Sequence, residues 1–260
     1  MFKFCNLYSG SSGNCSLIIT ENSKILIDCG VTNKKLVEGL ASLNISPKEI
    51  DAVLITHEHS DHIQGLKTLC KNANINVYAN HHTMDAINQP IDDGLKKFFV
   101  TNEKFELNDL KITPFAIPHD AADPVGFSVE KGDKKISVAT DIGHMNTNIM
   151  ENLIGSNFVL LEANYEPEML MASRYPYILK RRILGPYGHL SNDEAGNALV
   201  ELYKNGVTNI QLGHLSQQNN FPELAYKTVL EKFINNNIDT STLNISVASR
   251  DKADKPIDIE

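Results

Sequence analysis

Tryptophan is absent, cysteine is scarce and positive charge is in deficit: the 260-residue chain has four cysteines, and 24 Lys and Arg against 32 Asp and Glu give a formal net charge of −8. Cys5, Cys15, Cys29 and Cys70 are far apart and form no CxxC pair. That pattern suits reduced core thiols of a cytoplasmic protein rather than a disulfide scaffold. The excess of acid argues against a general nucleic-acid coat, which holds phosphates through surplus Lys and Arg, but leaves room for a nuclease whose positive charge is local. No stretch approaches the roughly 20 apolar residues needed to span a bilayer, and MFKFCNLYSGSSGNC lacks the basic and apolar regions of an export signal. The expectation is a cytoplasmic protein with no membrane partner; its oligomeric state stays open.

With 42% hydrophobic and 22% charged residues, the composition suits one α/β domain over residues 1–260. SLIIT, the turn ENS and KILID read as a hairpin, and DAVLIT as a strand ending at histidine. NKKLVEGLASLN has Leu36, Val37, Leu40 and Leu43 at helical spacing, and IQGLKTLCKN reads as another helix. INVYA, KFEL, LKITPFAI, VGFSVE, KISVAT and FVLLEAN follow as strand candidates. The last third adds helices at DEAGNALVELYKN and PELAYKTVLEKFINN and strands at NIQLG and NISVAS. DKADKPIDIE, at about 250–260, reads as a polar tail expected to fray. Strands and helices in both halves, without an internal repeat, suggest two sheets covered by helices.

AVLITHEHSDHIQGL carries the most chemistry. His57 and His59 lie two apart, so on an extended segment they point the same way and can share one ion. Asp61 and His62 follow as the chain turns into a helix and can face a second. One such histidine is more often a surface or core residue than a ligand; three with an aspartate within six residues after an apolar strand are not an ordinary polar loop.

THEHSDH resembles the HxHxDH signature of the metallo-β-lactamase superfamily. The other motifs stand in that family's order: Asp28 in ILIDCG, His119 in AIPHDA, Asp141 in VATDIG and His214 in QLGHLS. The resemblance implies a four-layer αββα sandwich with two divalent ions, Zn²⁺ or Mn²⁺, at one edge. His57, His59 and His119 would bind one, Asp61, His62 and His214 the other, with Asp141 bridging and Asp28 orienting ligands. Two divalent ions outweigh two aspartates, so an acidic protein would still present a cationic centre that favours an anionic substrate. Within that resemblance, Asp141, where many β-lactamases have cysteine, and His62 directly after Asp61 point to the two-metal hydrolases, and His59, where flavodiiron oxidoreductases have glutamate, argues against the redox branch.

GHLS occurs twice, around His189 and around His214. Transfer-RNA-processing nucleases of the superfamily place a glutamate after a buried strand, then a histidine in an HST or HLT motif, then the last metal histidine. Here Glu162, His189 and His214 stand in that order. The resemblance implies His189 as the acid that protonates the leaving oxygen, Glu162 as its orienter, and Asp61 as the group that holds or deprotonates the attacking water. SNDEAGNALV is also a helix start with a capping box at Ser191 and Glu194, and the two roles are compatible.

SGSSGNC, PHDAADPVGF, RYPYILKRRILGPYGHLSN and HLSQQNN are similar to the YycJ/WalJ group of this superfamily, which implies a 5′ to 3′ exonuclease on double-stranded DNA. Arg174, Lys180, Arg181 and Arg182, interleaved with Tyr175, Tyr177 and Tyr187, form a basic aromatic strip, with Arg181 and Arg182 as candidate phosphate contacts. A solvated helix face is the ordinary fate of such a run. Ser11, Ser12 and Asn14 in SGSSGN could bring backbone amides to a phosphate or simply form a tight loop. His81 and His82 read as a helix start and His144 as a neighbour of the ligands. Three alternatives stay open: a hydrolase of small anionic esters, thioesters or lactones; an RNA-processing nuclease; and a metal-stabilised nucleic-acid-binding protein without turnover.

Overall fold

A computed structural model describes residues 1–259. Short polar turns between β-branched runs begin the chain as an antiparallel meander of β1 (Phe2–Tyr8), β2 (Cys15–Thr20) and β3 (Lys24–Ile27). Helical crossovers then add parallel strands, as parallel neighbours require. α1 (Asn33–Ser42) leads to β4 (Ala52–Leu54), α2 (Ser60–Ile63) and α3 (Leu66–Ala73) to β5 (Asn76–Ala79), and α4 (His81–Ala86) to β6 (Lys96–Phe98).

The second sheet repeats the plan. β7 (Phe105–Leu107), β8 (Leu110–Ala116), β9 (Val125–Lys131) and β10 (Lys134–Ala139) form the meander. After α5 (Thr147–Leu153) come parallel β11 (Phe158–Glu162), β12 (Asn209–Gly213) and β13 (Asn244–Val247). α6 (Pro167–Ala172), α7 (Tyr177–Ile183) and α8 (Asn192–Lys204) lie between β11 and β12, and α9 (Pro222–Asn235) precedes β13.

Period-two alternation assigns each strand to two cores at once. Phe4, Ile18, Phe158 and Leu160 point between the sheets, with the Phe4 and Phe158 ring centroids 4.6 Å apart. Leu17 and Ile19 point outward to Leu36, Leu40 and Leu69 under the first helical layer, and Val159 and Leu161 to Leu199, Val229 and Phe233 under the second. Burial on both faces is why these strands read as continuous apolar runs rather than as alternation. The result is the expected αββα arrangement of two seven-stranded sheets between helical layers. All four cysteines are buried and free. Among the described residues no helix is long and apolar enough to cross a membrane.

Two expectations change. Val37 lies 39% exposed, so the buried stripe of α1 is Leu36, Gly39 and Leu40. The C-terminal segment does not fray: β14 (Ile257–Asp258) pairs antiparallel with β1, and Ile259 is buried. Asp254 is the anchor, since its Oδ2 accepts from Asn6 Nδ2 at 3.0 Å, Gln211 Nε2 at 3.1 Å and the Ser249 amide at 3.2 Å. Its polar sequence fills hydrogen-bonding needs of the sheet ends, which composition alone does not reveal. Asp254→Ala would leave Gln211 Nε2 without this acceptor and Asn6 Nδ2 with only the Ser249 carbonyl, and is expected to cost about 1–3 kcal/mol. The measurement is a urea midpoint that falls with unchanged slope; a midpoint equal to wild type would show the tail to be dispensable.

Candidate metal centre and active site

The chemistry-bearing residues leave the carboxyl ends of strands from both sheets. Asp28 follows β3, His57 and His59 follow β4, and His119 follows β8. Asp141 follows β10, Glu162 ends β11 and His214 follows β12. Asp28, Asp141 and His214 adopt left-handed backbone with φ of 62°, 60° and 53°. That conformation is costly for a residue with a side chain and is held here by the rigid strand it ends.

Each histidine of the site but His59 has its Nδ1 beside an oxygen. His62 Nδ1 lies 2.7 Å from Asp28 Oδ2, His57 Nδ1 3.0 Å from Thr56 Oγ1, and His119 Nδ1 3.0 Å from the Gly188 carbonyl. Thr56 in turn donates its amide and hydroxyl to Asp28. Glu162 Oε1 lies 2.8 Å from Nδ1 of both His189 and His214, while Oε2 accepts the amides of Ile142 and Leu190. An acceptor on Nδ1 fixes the tautomer and leaves Nε2 free at His57, His119 and His214, whereas at His62 it meets Asn14 Nδ2 at 3.1 Å.

Those free atoms converge. His57, His59 and His119 form one group of potential ligands, and Asp61, His62 and His214 another, with ligand atoms within 4.8 Å of one another inside each. Asp141 lies between them: Oδ2 is 3.3 Å from His62 Nε2, and Oδ1 is 3.7 Å from His119 Nε2. The structure therefore brings all seven residues together. His57 Nε2, His119 Nε2, His214 Nε2 and Asp141 Oδ2 are buried without a hydrogen-bond partner. Unsatisfied buried atoms of this kind are costly, and four facing one centre fit a bound cation.

The Beta-lactamase superfamily domain family matches residues 23–208. The chain belongs to the metallo-β-lactamase superfamily. Over 236 residues it is 36% identical to "Exodeoxyribonuclease WalJ" of Streptococcus pneumoniae, covering 89% of this chain and 88% of that protein. "Exodeoxyribonuclease YycJ" of Bacillus anthracis is 34% identical over 231 residues, 87% of each chain. Among solved structures, the metallo-β-lactamase fold protein YhfI from Bacillus subtilis superposes with a TM-score of 0.74 at 14% identity, covering 98% of this chain and 100% of that one.

Electrostatics divide this superfamily site in two. Burial drives the pKa of His57 well below the usual imidazole value and lowers that of His119, which keeps them neutral donors. Burial opposes charge at His214 too, yet Asp141, Asp61 and Glu162 outweigh it and push the pKa up to about 10. At His62 burial is likewise outweighed by Asp141, Asp28 and Asp61, and the pKa rises well above its ordinary value. The acidic half demands positive charge at those nitrogens, and a divalent cation supplies it at the same atoms. Glu162 is buried, which works against ionisation, but His189 and His214 hold its carboxyl down at about 2.

The remaining candidates separate. Asn14 is not at the rim: it is buried, with Nδ2 3.1 Å from His62 Nε2 and its amide bonded to the Asp61 carbonyl. Ser12 sits beside Arg250, and Ser11 lines a cavity with His189, Asn164, Tyr175 and Arg182. Arg181 and Arg182 point in different directions, because adjacent helix positions diverge. Arg182 lines the cavity and grips Asp120 with two hydrogen bonds, while Arg181 points to solvent. His81 begins α4, capped by Asn80, and exposed His144 has its Nδ1 2.9 Å from the Pro186 carbonyl.

Sequence reasoning passed over Thr56, Asp120 and Asn164, each adjacent in sequence to a residue it had named or to a strand end. Asn164 ties the two GHLS loops together: its amide bonds the Leu190 carbonyl, its carbonyl accepts the Ser216 amide, and Nδ2 bonds the His214 carbonyl. Asn220, in the QQNN stretch, adds bonds to the Ala163 carbonyl and to Asn192. Glu162→Gln turns one acceptor oxygen into an amide donor facing donors. Metal affinity is expected to fall about 10- to 100-fold, read by competition titration with a chelating dye; wild-type affinity would refute the orienting role.

Proposed function

We propose that this protein is a dinuclear metal-dependent phosphodiesterase that acts as a 5′ to 3′ exonuclease on double-stranded DNA in the cytoplasm. One observation carries the reading: Glu162 Oε1 lies 2.8 Å from Nδ1 of both His189 and His214. A metal centre alone needs only the second contact. The first holds an additional imidazole, 20% exposed where His214 is 2%, with Nε2 left for substrate. The relatives named exodeoxyribonucleases span most of both chains and support DNA as the substrate.

His57, His59 and His119 would hold one ion and Asp61, His62 and His214 the other, with Asp141 shared between them. This imidazole and carboxylate set suits Zn²⁺ or Mn²⁺. Bound there, the ions polarise the phosphate and lower the pKa of water. Asp61, with Oδ2 3.6 Å from His214 Nε2 and a side chain 25% exposed, holds the attacking water and takes its proton. His189 gives the proton on Nε2 to the leaving oxygen while Nδ1–H stays on Glu162. Because Glu162 is held down at about 2, it remains ionised throughout and stabilises the charged ring. The Asn164 amide on the Leu190 carbonyl holds the loop that carries His189.

The decisive assay uses end-labelled single- and double-stranded DNA and RNA with Mn²⁺, Zn²⁺ or Mg²⁺, alongside a thioester and lactone panel. Duplex DNA is expected to lose nucleotides from its 5′ ends only with metal present, and a chelator should abolish this. Turnover of thioesters without any nuclease activity would overturn the reading. His189→Ala should keep both ions and lose about 10²- to 10⁴-fold in cleavage. His214→Ala should lose metal and cleavage together. Full activity in His189→Ala would refute the division of labour between the two histidines.

A further inference from the structure

Arg182 is the single permanent cation among the residues that line the cavity beside His189, and its contacts leave part of it unused. Nε and Nη2 grip the two oxygens of Asp120, the second at 3.0 Å. Nη1 has no protein partner among the described residues. A guanidinium carries five donors in one rigid plane, so a carboxylate bound on one edge fixes the direction of the other. Asp120 is itself held. Its amide donates to the Tyr187 carbonyl at 3.2 Å, and its Oδ1 stands 3.4 Å from His119 Nε2.

The same loops hold the proposed acid. The His189 amide donates to the Ile183 carbonyl at 3.1 Å, and the His119 and His189 ring centroids are 5.2 Å apart. Gly188 packs so tightly on α7 that a Cβ there would stand 2.1 Å from the Ile183 carbonyl oxygen. Arg182 and His189 therefore face one space from fixed positions, with Ser11 and Ser216 in its wall. In the proposed reaction the His189 side is the side of the leaving group. The water oxygen bonds to phosphorus while Asp61 takes its proton. The bond from phosphorus to the 3′ oxygen of the terminal nucleotide breaks, and that oxygen takes the proton from His189 Nε2. What departs on this side is the terminal nucleotide, whose far end is its 5′ group.

Resting on the phosphodiesterase reading, we propose that Arg182, oriented by Asp120, recognises the terminal 5′-phosphate of the strand being cleaved. Its Nη1 edge binds the phosphate of the nucleotide whose 3′ oxygen faces His189, and the Ser11 hydroxyl is a further donor from the same wall. A terminal phosphate monoester carries a charge of about −1.5 to −2 at pH 7 and three strong acceptor oxygens. A diester inside the chain carries one charge and offers two such oxygens. A fixed cation one nucleotide from the scissile bond therefore favours a chain end over an internal position, and a phosphorylated end over a hydroxyl end. Asp120 sets the direction of the fork without using the edge that the phosphate takes.

The test changes enzyme and substrate together, as in a double-mutant cycle. Wild type and Arg182→Gln are compared on duplexes of one sequence that end in a 5′-phosphate or a 5′-hydroxyl, with Mn²⁺ present. Wild type is expected to favour the phosphate end in kcat/KM by about tenfold or more, the effect of a charge-assisted hydrogen bond. Arg182→Gln should lose most of that preference, with a much smaller fall on the hydroxyl end, and Arg182→Lys should recover part of it. A merely structural arginine would lower both substrates equally. Equal losses, a wild type indifferent to the 5′ group, or release of the terminal nucleotide as a 3′-phosphate each overturn the proposal and leave the phosphodiesterase reading intact. Wild-type protein that cleaves neither duplex overturns that reading, and the role of Arg182 with it. The ion pair with Asp120 is exposed and adds little to stability, and thermal melting checks that the variants keep the fold.

Discussion

One buried carboxylate organises the centre. Glu162 is wholly buried at the end of β11, and an ionised group there is tolerated only because both oxygens are fully engaged. Two imidazoles occupy Oε1 and two backbone amides occupy Oε2. The amides belong to Ile142, next to Asp141, and Leu190, next to His189. The same four contacts that satisfy the charge thus fix Asp141, His214 and His189 relative to one another. Asp28 does the equivalent work in the other sheet, through Thr56 and His62.

The fold supplies what these contacts need. Each sheet begins as an antiparallel meander and continues with parallel strands, so that several strand ends open at the same edge. In open α/β sheets the carboxyl ends of parallel strands are where ligands bind. Here two such edges face each other across one core, and ligands from both sheets can surround a shared space. Rigid strand ends hold side chains more closely than loops do, which lets the left-handed turns at Asp28, Asp141 and His214 persist despite their cost.

Much of this was legible in the sequence because metal ligation imposes residue types. Three histidines and an aspartate in six positions have few other uses, and Asp141 and His214 are marked by the apolar strands before them. The strands themselves were readable because burial on both faces makes continuous apolar runs. What stayed hidden depends on polar residues whose role exists only in three dimensions. Asp254 looks like part of a solvated tail until Asn6 and Gln211 are found beside it. Asn14 looks like loop filler until the loop folds over Asp61 and His62. Arg181 and Arg182 look like a pair until the helix turns them apart. Polar residues carry no periodic signal when their partners lie far away in the chain.

The two GHLS copies show the limit of local sequence most directly. Both histidines give Nδ1 to one oxygen of Glu162, so their own contacts would make them equivalent. Their difference lies in where the opposite nitrogen points. The left-handed turn after β12 drives His214 into the acidic half, 3.6 Å from Asp61, where its ring is buried and its Nε2 has no partner. Gly188 and the end of α7 instead hold His189 at the wall of the cavity, where its ring meets solvent. The metal role is proposed for the copy whose open nitrogen meets imidazole and carboxylate. A proton is passed where an imidazole is held on one side and open on the other. The same tetrapeptide thus sits in two settings, because one copy ends a strand and the other abuts a helix, and the two proposed roles follow from that difference.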